Sequence, residues 1–116
     1  MSASHYKLDN LCVIIDNNNL QIDGEIKDVL NSYPITEKFK SFGFNVLEIN
    51  GHNFNEIEKA LEEAKKCKGK PTVIIAKTIK GKGVSFMENK AEWHGKAPNE
   101  EQYNLAIKEL EEKYNG

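Results

Sequence analysis

Five apolar residues, Leu11-Cys12-Val13-Ile14-Ile15, run together and stop at Asp16 and three asparagines. Their length and β-branched content predict a strand buried on both faces, as in a parallel sheet. Phe44-Asn45-Val46-Leu47-Glu48-Ile49 predicts a second strand, stopped by Asn50-Gly51. Pro71-Thr72-Val73-Ile74-Ile75-Ala76 predicts a third, opened by a proline at the strand position that tolerates one.

Between the strands the apolar spacing becomes helical. Thr36 to Phe42 predicts a short helix closed by Gly43, a residue suited to a left-handed cap. Asn53 with Glu56 three residues on predicts an N-cap and capping box. Ile57, Ala60, Leu61 and Ala64 then form an apolar stripe, with Glu and Lys on the other side. A last helix is predicted from near Asn99, with Gln102 at the capping-box position and Tyr103, Ala106, Ile107 and Leu110 at helical spacing.

The predicted order is strand, helix, strand, helix, strand, long loop, helix. Such alternation implies an α/β fold, a three-layer sandwich on a mostly parallel sheet with right-handed crossovers. Three strands are few for such a sheet, whose two faces both need cover, so part of the sheet is expected to be missing. Ligands of parallel α/β sheets sit beyond the carboxyl ends of the strands. The polar segments 16–24 and 77–96 both emerge there and are expected to be neighbours.

Composition narrows the class. The chain has 116 residues, the size of one small domain, and a formal net charge of -2 from interspersed Lys and Glu. No basic stripe is visible, so a nucleic-acid partner is not expected. Cys12 and Cys67 form no CxxC pair, which argues against a zinc site and fits a reducing compartment. No apolar stretch reaches membrane-span length, and residues 1–6 lack the regions of a signal peptide. The expectation is a soluble, cytoplasmic protein without a membrane partner.

Three segments could carry chemistry. Asp16-Asn17-Asn18-Asn19 reads as a turn, since Asn tolerates left-handed backbone and bonds its own main chain. An Asn amide oxygen and a nearby carbonyl equally suit a hard cation such as Mg²⁺. Composition alone does not separate these readings. Lys80-Gly81-Lys82-Gly83 combines close backbone approach with compact positive charge, as a phosphate would require, but has neither P-loop nor GxGxxG spacing. Trp93-His94-Gly95-Lys96 places a histidine in a long loop at the ligand edge, where proton exchange or polar recognition is feasible. His5 and His52 are weaker candidates, and the Glu/Lys runs read as solvated helix faces.

Together, residues 4–24, 42–53, 70–83 and 91–99 resemble transketolase, and closely the short N-terminal subunit of split bacterial and archaeal transketolases. Gln21-Ile22-Asp23-Gly24 and Trp93-His94-Gly95 favour it over relatives that share the cofactor logic. The resemblance implies a partial thiamine diphosphate-binding domain, over residues 1–116, in a transferase of carbohydrate metabolism and the pentose phosphate pathway. It makes Asn18 a side-chain ligand and Leu20 a main-chain ligand of Mg²⁺ or Ca²⁺. Ile22 would pack near the cofactor's rings, and Lys80 and Lys96 would approach its diphosphate. His94, the one catalytic candidate, would meet the diphosphate and the donor sugar's hydroxyls.

The implied reaction moves a two-carbon ketol unit from a ketose phosphate to an aldose phosphate. The implied partners are sugar phosphates, a C-terminal subunit carrying the pyrimidine-binding domain, and further copies of the chain. In the family a Gly-Asp-Gly supplies the carboxylate metal ligand upstream of the position of Tyr6. No Gly-Asp-Gly occurs in this chain. An N-terminally truncated piece, inactive alone, is therefore expected; the alternative is a non-catalytic α/β remnant with residual phosphate or metal binding.

Overall fold

The computed structural model describes residues 1–114. In chain order the elements are α1 (Ser2–His5), β1 (Cys12–Asn17), β2 (Leu20–Gln21), β3 (Gly24–Glu25), α2 (Ile26–Val29), α3 (Ile35–Ser41), β4 (Asn45–Asn50), α4 (Phe54–Lys66) and β5 (Thr72–Lys77), then a 3-10 turn (Ala91–His94) and α5 (Glu100–Tyr114). They fall into two compact units. The first takes residues 1–17 and 32–78; the second takes residues 18–31 and the chain from Ile79 on.

The first unit is built on a parallel sheet, as the alternation predicts. Its order among the described residues is β1-β5-β4, so the last strand lies at the centre. Val73 pairs with Val13 on one side and Val46 on the other, and the ladder continues in step to Lys77. Five consecutive residues of β5 are buried, and Val73, Ile74 and Ile75 are 2 % exposed or less. Burial on both faces thus belongs to β5.

β1 departs from the expectation. It lies at the sheet edge and alternates exposed with half-buried residues, leaving Ile14 63 % exposed. The apolar run specifies a strand, but the number of neighbours and the cover on each face are set by the rest of the fold.

The helix signals in this unit are largely realised. Gly43 follows α3 with φ +81°, the left-handed cap. Asn53 caps α4 by accepting the amides of Asn55 and Glu56. Glu56, however, does not close the box on the Asn53 amide: its carboxylate takes the amide of Asn50 at 2.7 Å and the Asn53 side chain at 3.0 Å. Ala60 and Ala64 are buried, whereas Leu61 remains 39 % exposed.

The second unit contains elements the periodicity does not announce. β2 and β3 form a small antiparallel hairpin around Ile22-Asp23, and α2 follows directly. Two- and four-residue elements are too short to show a period. At α5 the capping box is complete: Asn99 Oδ1 accepts the Gln102 amide at 2.8 Å, and Gln102 Oε1 accepts the Asn99 amide at 3.0 Å. The expected stripe on α5 is only partly covered. Ala106 is buried, but Tyr103 and Ile107 are exposed, because α5 meets the preceding loop through Glu109, Leu110 and Tyr114.

Candidate functional site

β1 and β5 end side by side, with Asn17 paired to Lys77. The two polar segments therefore leave the sheet from adjacent strand ends, on the edge where parallel sheets hold ligands. Both then contribute to the second unit, where β2 packs against the Ala91–His94 turn. The asparagine segment and the Trp-His-Gly segment are thus neighbours, as their order along the chain predicts.

Asn18 stands at the mouth of the hairpin. Its Oδ1 accepts the amide of Leu20 at 3.0 Å, an Asx turn that folds the side chain over its own backbone. Asn19 follows with φ +61°, a conformation asparagine tolerates, and its carbonyl accepts the amide of Ile26 at 3.0 Å. Asn18 and Leu20 are half-buried; Ile22, at the hairpin turn, is 63 % exposed. The turn-forming property and the oxygen-donor property are here present together in one residue.

Lys80 opens a loop that closes on itself. Its carbonyl accepts the amide of Asn89 at 3.0 Å, and Val84 bonds back to Gly81 at 3.1 Å. Gly81 has φ +71° and a side chain there would meet the Met87 carbonyl oxygen at 2.7 Å. Gly83 has φ +103° and a side chain there would meet Leu110 at 2.9 Å. Both glycines are accounted for by the loop's own geometry and its fit to α5. Lys82 lies 3.7 Å from Glu88, while Lys80 has no ion pair among the described residues.

Trp93 anchors the third segment. Its Nε1 donates to the Phe86 carbonyl at 3.2 Å and its ring meets Phe86 edge-on at 5.5 Å. The Lys96 ammonium lies over the Trp93 ring at 4.9 Å, within cation–π range. His94 and Lys96 are exposed. β2, which holds Leu20, meets the 3-10 turn that ends at His94, and Lys96 joins this turn through Trp93. Lys80 joins through its main chain, since Asn89 immediately precedes the Lys90 carbonyl that receives the Trp93 amide. Ile22 sits apart at the hairpin tip.

The donor set matches a hard cation in kind and falls short in number. Asn18 Oδ1 and the Leu20 carbonyl are neutral oxygens of the type Mg²⁺ accepts, and diphosphate oxygens would be suitable further ligands. Among the described residues no group of three or more His, Cys, Asp or Glu could hold a metal.

Several organising contacts carry no signal in the sequence. Thr78 Oγ1 donates a hydrogen bond to Asp16 Oδ1, and Tyr33 Oη donates to Asn17 Oδ1 at 2.8 Å. Glu88 accepts the Gly83 amide at 2.9 Å, which holds its carboxyl below the ordinary range, with Lys82 and Lys113 adding to the shift. Glu109 accepts both the hydroxyl and the amide of Ser85 at 2.6 Å each, and these bonds lower its pKa in turn. Glu109 reads in the sequence as one of a solvated run, and only the fold brings Ser85 to it.

A family profile described as transketolase, thiamine diphosphate binding domain, matches residues 1–114. The chain is 42 % identical over 112 residues to an apulose-4-phosphate transketolase subunit from Actinobacillus succinogenes, covering 97 % of this chain and 40 % of that protein. It is likewise 42 % identical over 111 residues to a 6-deoxy-6-sulfo-D-fructose transketolase subunit from a Clostridium species, covering 96 % and 40 %. Among solved structures, Campylobacter jejuni transketolase superposes with a TM-score of 0.84 at 42 % identity, over 97 % of this chain and 17 % of that one. The chain spans well under half the length of these relatives.

Proposed function

Because this chain belongs to the transketolase family, as a stretch of its thiamine diphosphate-binding domain, we propose that it contributes the Asn18 and His94 side of a shared two-carbon ketol-transfer site. The reading is carried by one observation: the hairpin that begins at Leu20 packs on the turn that ends at His94. Two segments far apart in sequence, each of which resembles the family on its own residues, share one compact unit.

In this reading Asn18 Oδ1 and the Leu20 carbonyl would hold Mg²⁺ against the diphosphate, whose own charge supplies most of the attraction. Lys80 and Lys96 balance phosphate charge as compact cations. Trp93 fixes the approach of Lys96 by stacking beneath its ammonium. His94, exposed at the end of its turn, donates a hydrogen bond to the diphosphate or to a hydroxyl of the donor sugar. Ile22 offers an uncovered apolar side chain to the cofactor's rings. The chemistry that thiamine diphosphate supplies when bound is a carbon nucleophile able to accept a glycolaldehyde unit and pass it on.

Two of the relatives are themselves named as transketolase subunits, which supports a second polypeptide bearing the pyrimidine-binding domain as partner. The substrates are then a ketose phosphate donor and an aldose phosphate acceptor, and the compartment is the cytoplasm. Ile14 and the edge of β1, unpaired among the described residues, favour association with further copies or with the partner. With two neutral oxygens as the metal ligands assigned among the described residues, the expectation is that the chain alone binds cofactor weakly and does not turn over.

Calorimetric titration with thiamine diphosphate and Mg²⁺ tests this, comparing the chain with Asn18→Ala. Weak binding that Asn18→Ala abolishes supports the assignment; equal binding by both would remove Asn18 from it. Product formation from a ketose donor by the chain alone would overturn the expectation of inactivity.

A further inference from the structure

The loop that starts at Lys80 is tied to its surroundings by two carboxylates of different origin. Glu88 belongs to the loop itself, takes the Gly83 amide at 2.9 Å, and lies 3.7 Å from the Lys82 ammonium. Glu109 comes from α5 and grips Ser85 twice, at 2.6 Å to the amide and 2.6 Å to the hydroxyl. Hydrogen bonds to a carboxylate are the strong, directional kind. Leu110, the next residue, lies against Gly83, so the same helix face adds an apolar contact beside the polar one.

These contacts divide the loop's two lysines. Lys82 has a carboxylate beside it, whereas Lys80 has no ion pair among the described residues and its carbonyl is fixed by Asn89. The loop is short and self-bonded from Lys80 to Asn89, so moving Ser85 moves Lys80. We propose that Glu109 is a positioning residue for diphosphate binding: by holding the Ser85 amide and hydroxyl it sets the loop that presents Lys80. The proposal rests on the reading that Lys80 meets the diphosphate.

The depressed titration of Glu109, caused first by the Ser85 hydroxyl and then by its amide, means that the carboxylate is ionised at neutral pH and the grip is complete there. Glu88 is the like charge that opposes it. A purely structural brace would lower stability without distinguishing Lys80 from any other contact, whereas a positioning residue acts through Lys80. That difference is measurable.

The full chain is titrated with Mg²⁺-diphosphate by NMR, as wild type, Glu109→Ala, Glu109→Gln, Lys80→Ala and the Lys80→Ala/Glu109→Ala double variant. Glu109→Ala is expected to weaken binding about fivefold, and the double variant to bind no more weakly than Lys80→Ala alone, the signature of coupled residues. Amide exchange at Ser85 should quicken in Glu109→Ala while the Ile74 and Ile75 amides of β5 keep their protection. Glu109→Gln, which retains an acceptor oxygen, should fall between wild type and Glu109→Ala.

If Lys80→Ala weakens binding and Glu109→Ala does not, or if the two losses simply add, the positioning role is wrong and the diphosphate reading survives. If Lys80→Ala leaves binding unchanged, or wild type shows no saturable shifts, the diphosphate reading fails and the proposal falls with it. Unchanged Ser85 exchange in Glu109→Ala would overturn the grip itself.

Discussion

Ile14 and Ile74 are register partners across β1 and β5, yet Ile74 is 2 % exposed and Ile14 is 63 % exposed. They share a residue type and a ladder position but sit in opposite environments. Among the described residues β5 has a strand on each side, whereas β1 has one neighbour and lies at the edge.

The pair gives the first prediction. Ile74→Ala removes methylenes from a closed site and should cost about 2–5 kcal/mol. Ile14→Ala removes them from a surface and should cost under about 1 kcal/mol. Urea unfolding of the two variants measures both. Similar losses would mean that β1 is covered in solution, by another copy or by a partner.

The same pair marks what can be read from the sequence. Each apolar run specifies a strand, and the alternation with helices specifies a parallel sheet, because both follow from local periodicity and crossover geometry. Which strand lies at the centre depends on non-local pairing, so the burial expected of β1 belongs to β5. At the site, the segments 16–24 and 77–96 are readable as neighbours, since strand ends of a parallel sheet share one edge, and β2 does meet the Ala91–His94 turn. Ser85 and Glu109 are not. A serine in a loop and a glutamate in a charged helix have no local feature that pairs them, and only tertiary packing brings them to 2.6 Å.

Glycines supply a graded test of the loop. Gly69, Gly81 and Gly83 all have positive φ, at +76°, +71° and +103°. At Gly69 an added methyl meets nothing within 4 Å, so Gly69→Ala should cost about 1 kcal/mol for the backbone alone. At Gly81 it meets the Met87 carbonyl at 2.7 Å, main chain that cannot swing aside, and the loss should exceed about 2 kcal/mol. Gly83→Ala should fall between, because the obstacle is the far end of the Leu110 side chain. Denaturant midpoints give the ranking, and Gly81→Ala matching Gly69→Ala would refute the loop geometry.

Asn18 gives a prediction in which one atom has two duties. Its Oδ1 holds the Leu20 amide, so Asn18→Ala should loosen the hairpin by about 1 kcal/mol even without ligand. Asn18→Asp keeps an acceptor in that place and adds a charge to a donor set of neutral oxygens. It should therefore preserve the hairpin and raise Mg²⁺ affinity several-fold. Calorimetry with Mg²⁺ alone reads the second effect. An unchanged affinity in Asn18→Asp would mean that no cation approaches this oxygen.

Acid should loosen the Lys80 loop before the sheet. Glu109 and Glu88 both titrate below the ordinary carboxylate range, through bonds from Ser85 and Gly83 respectively. The charged groups facing them are each other, Lys82 and Lys113. A carboxyl whose folded pKa is depressed contributes stability that is present above its unfolded pKa, about 4.3 for Glu. That contribution is lost as pH falls through the lower folded value. The loop should therefore be held fully at about pH 6 and released as pH drops below the ordinary carboxylate range. Glu109→Gln removes one titration and should flatten the acid limb, most clearly in amide exchange at Ser85. Acid loss of equal steepness in Glu109→Gln and wild type would assign the sensitivity to Glu88 and its bond to Gly83 instead.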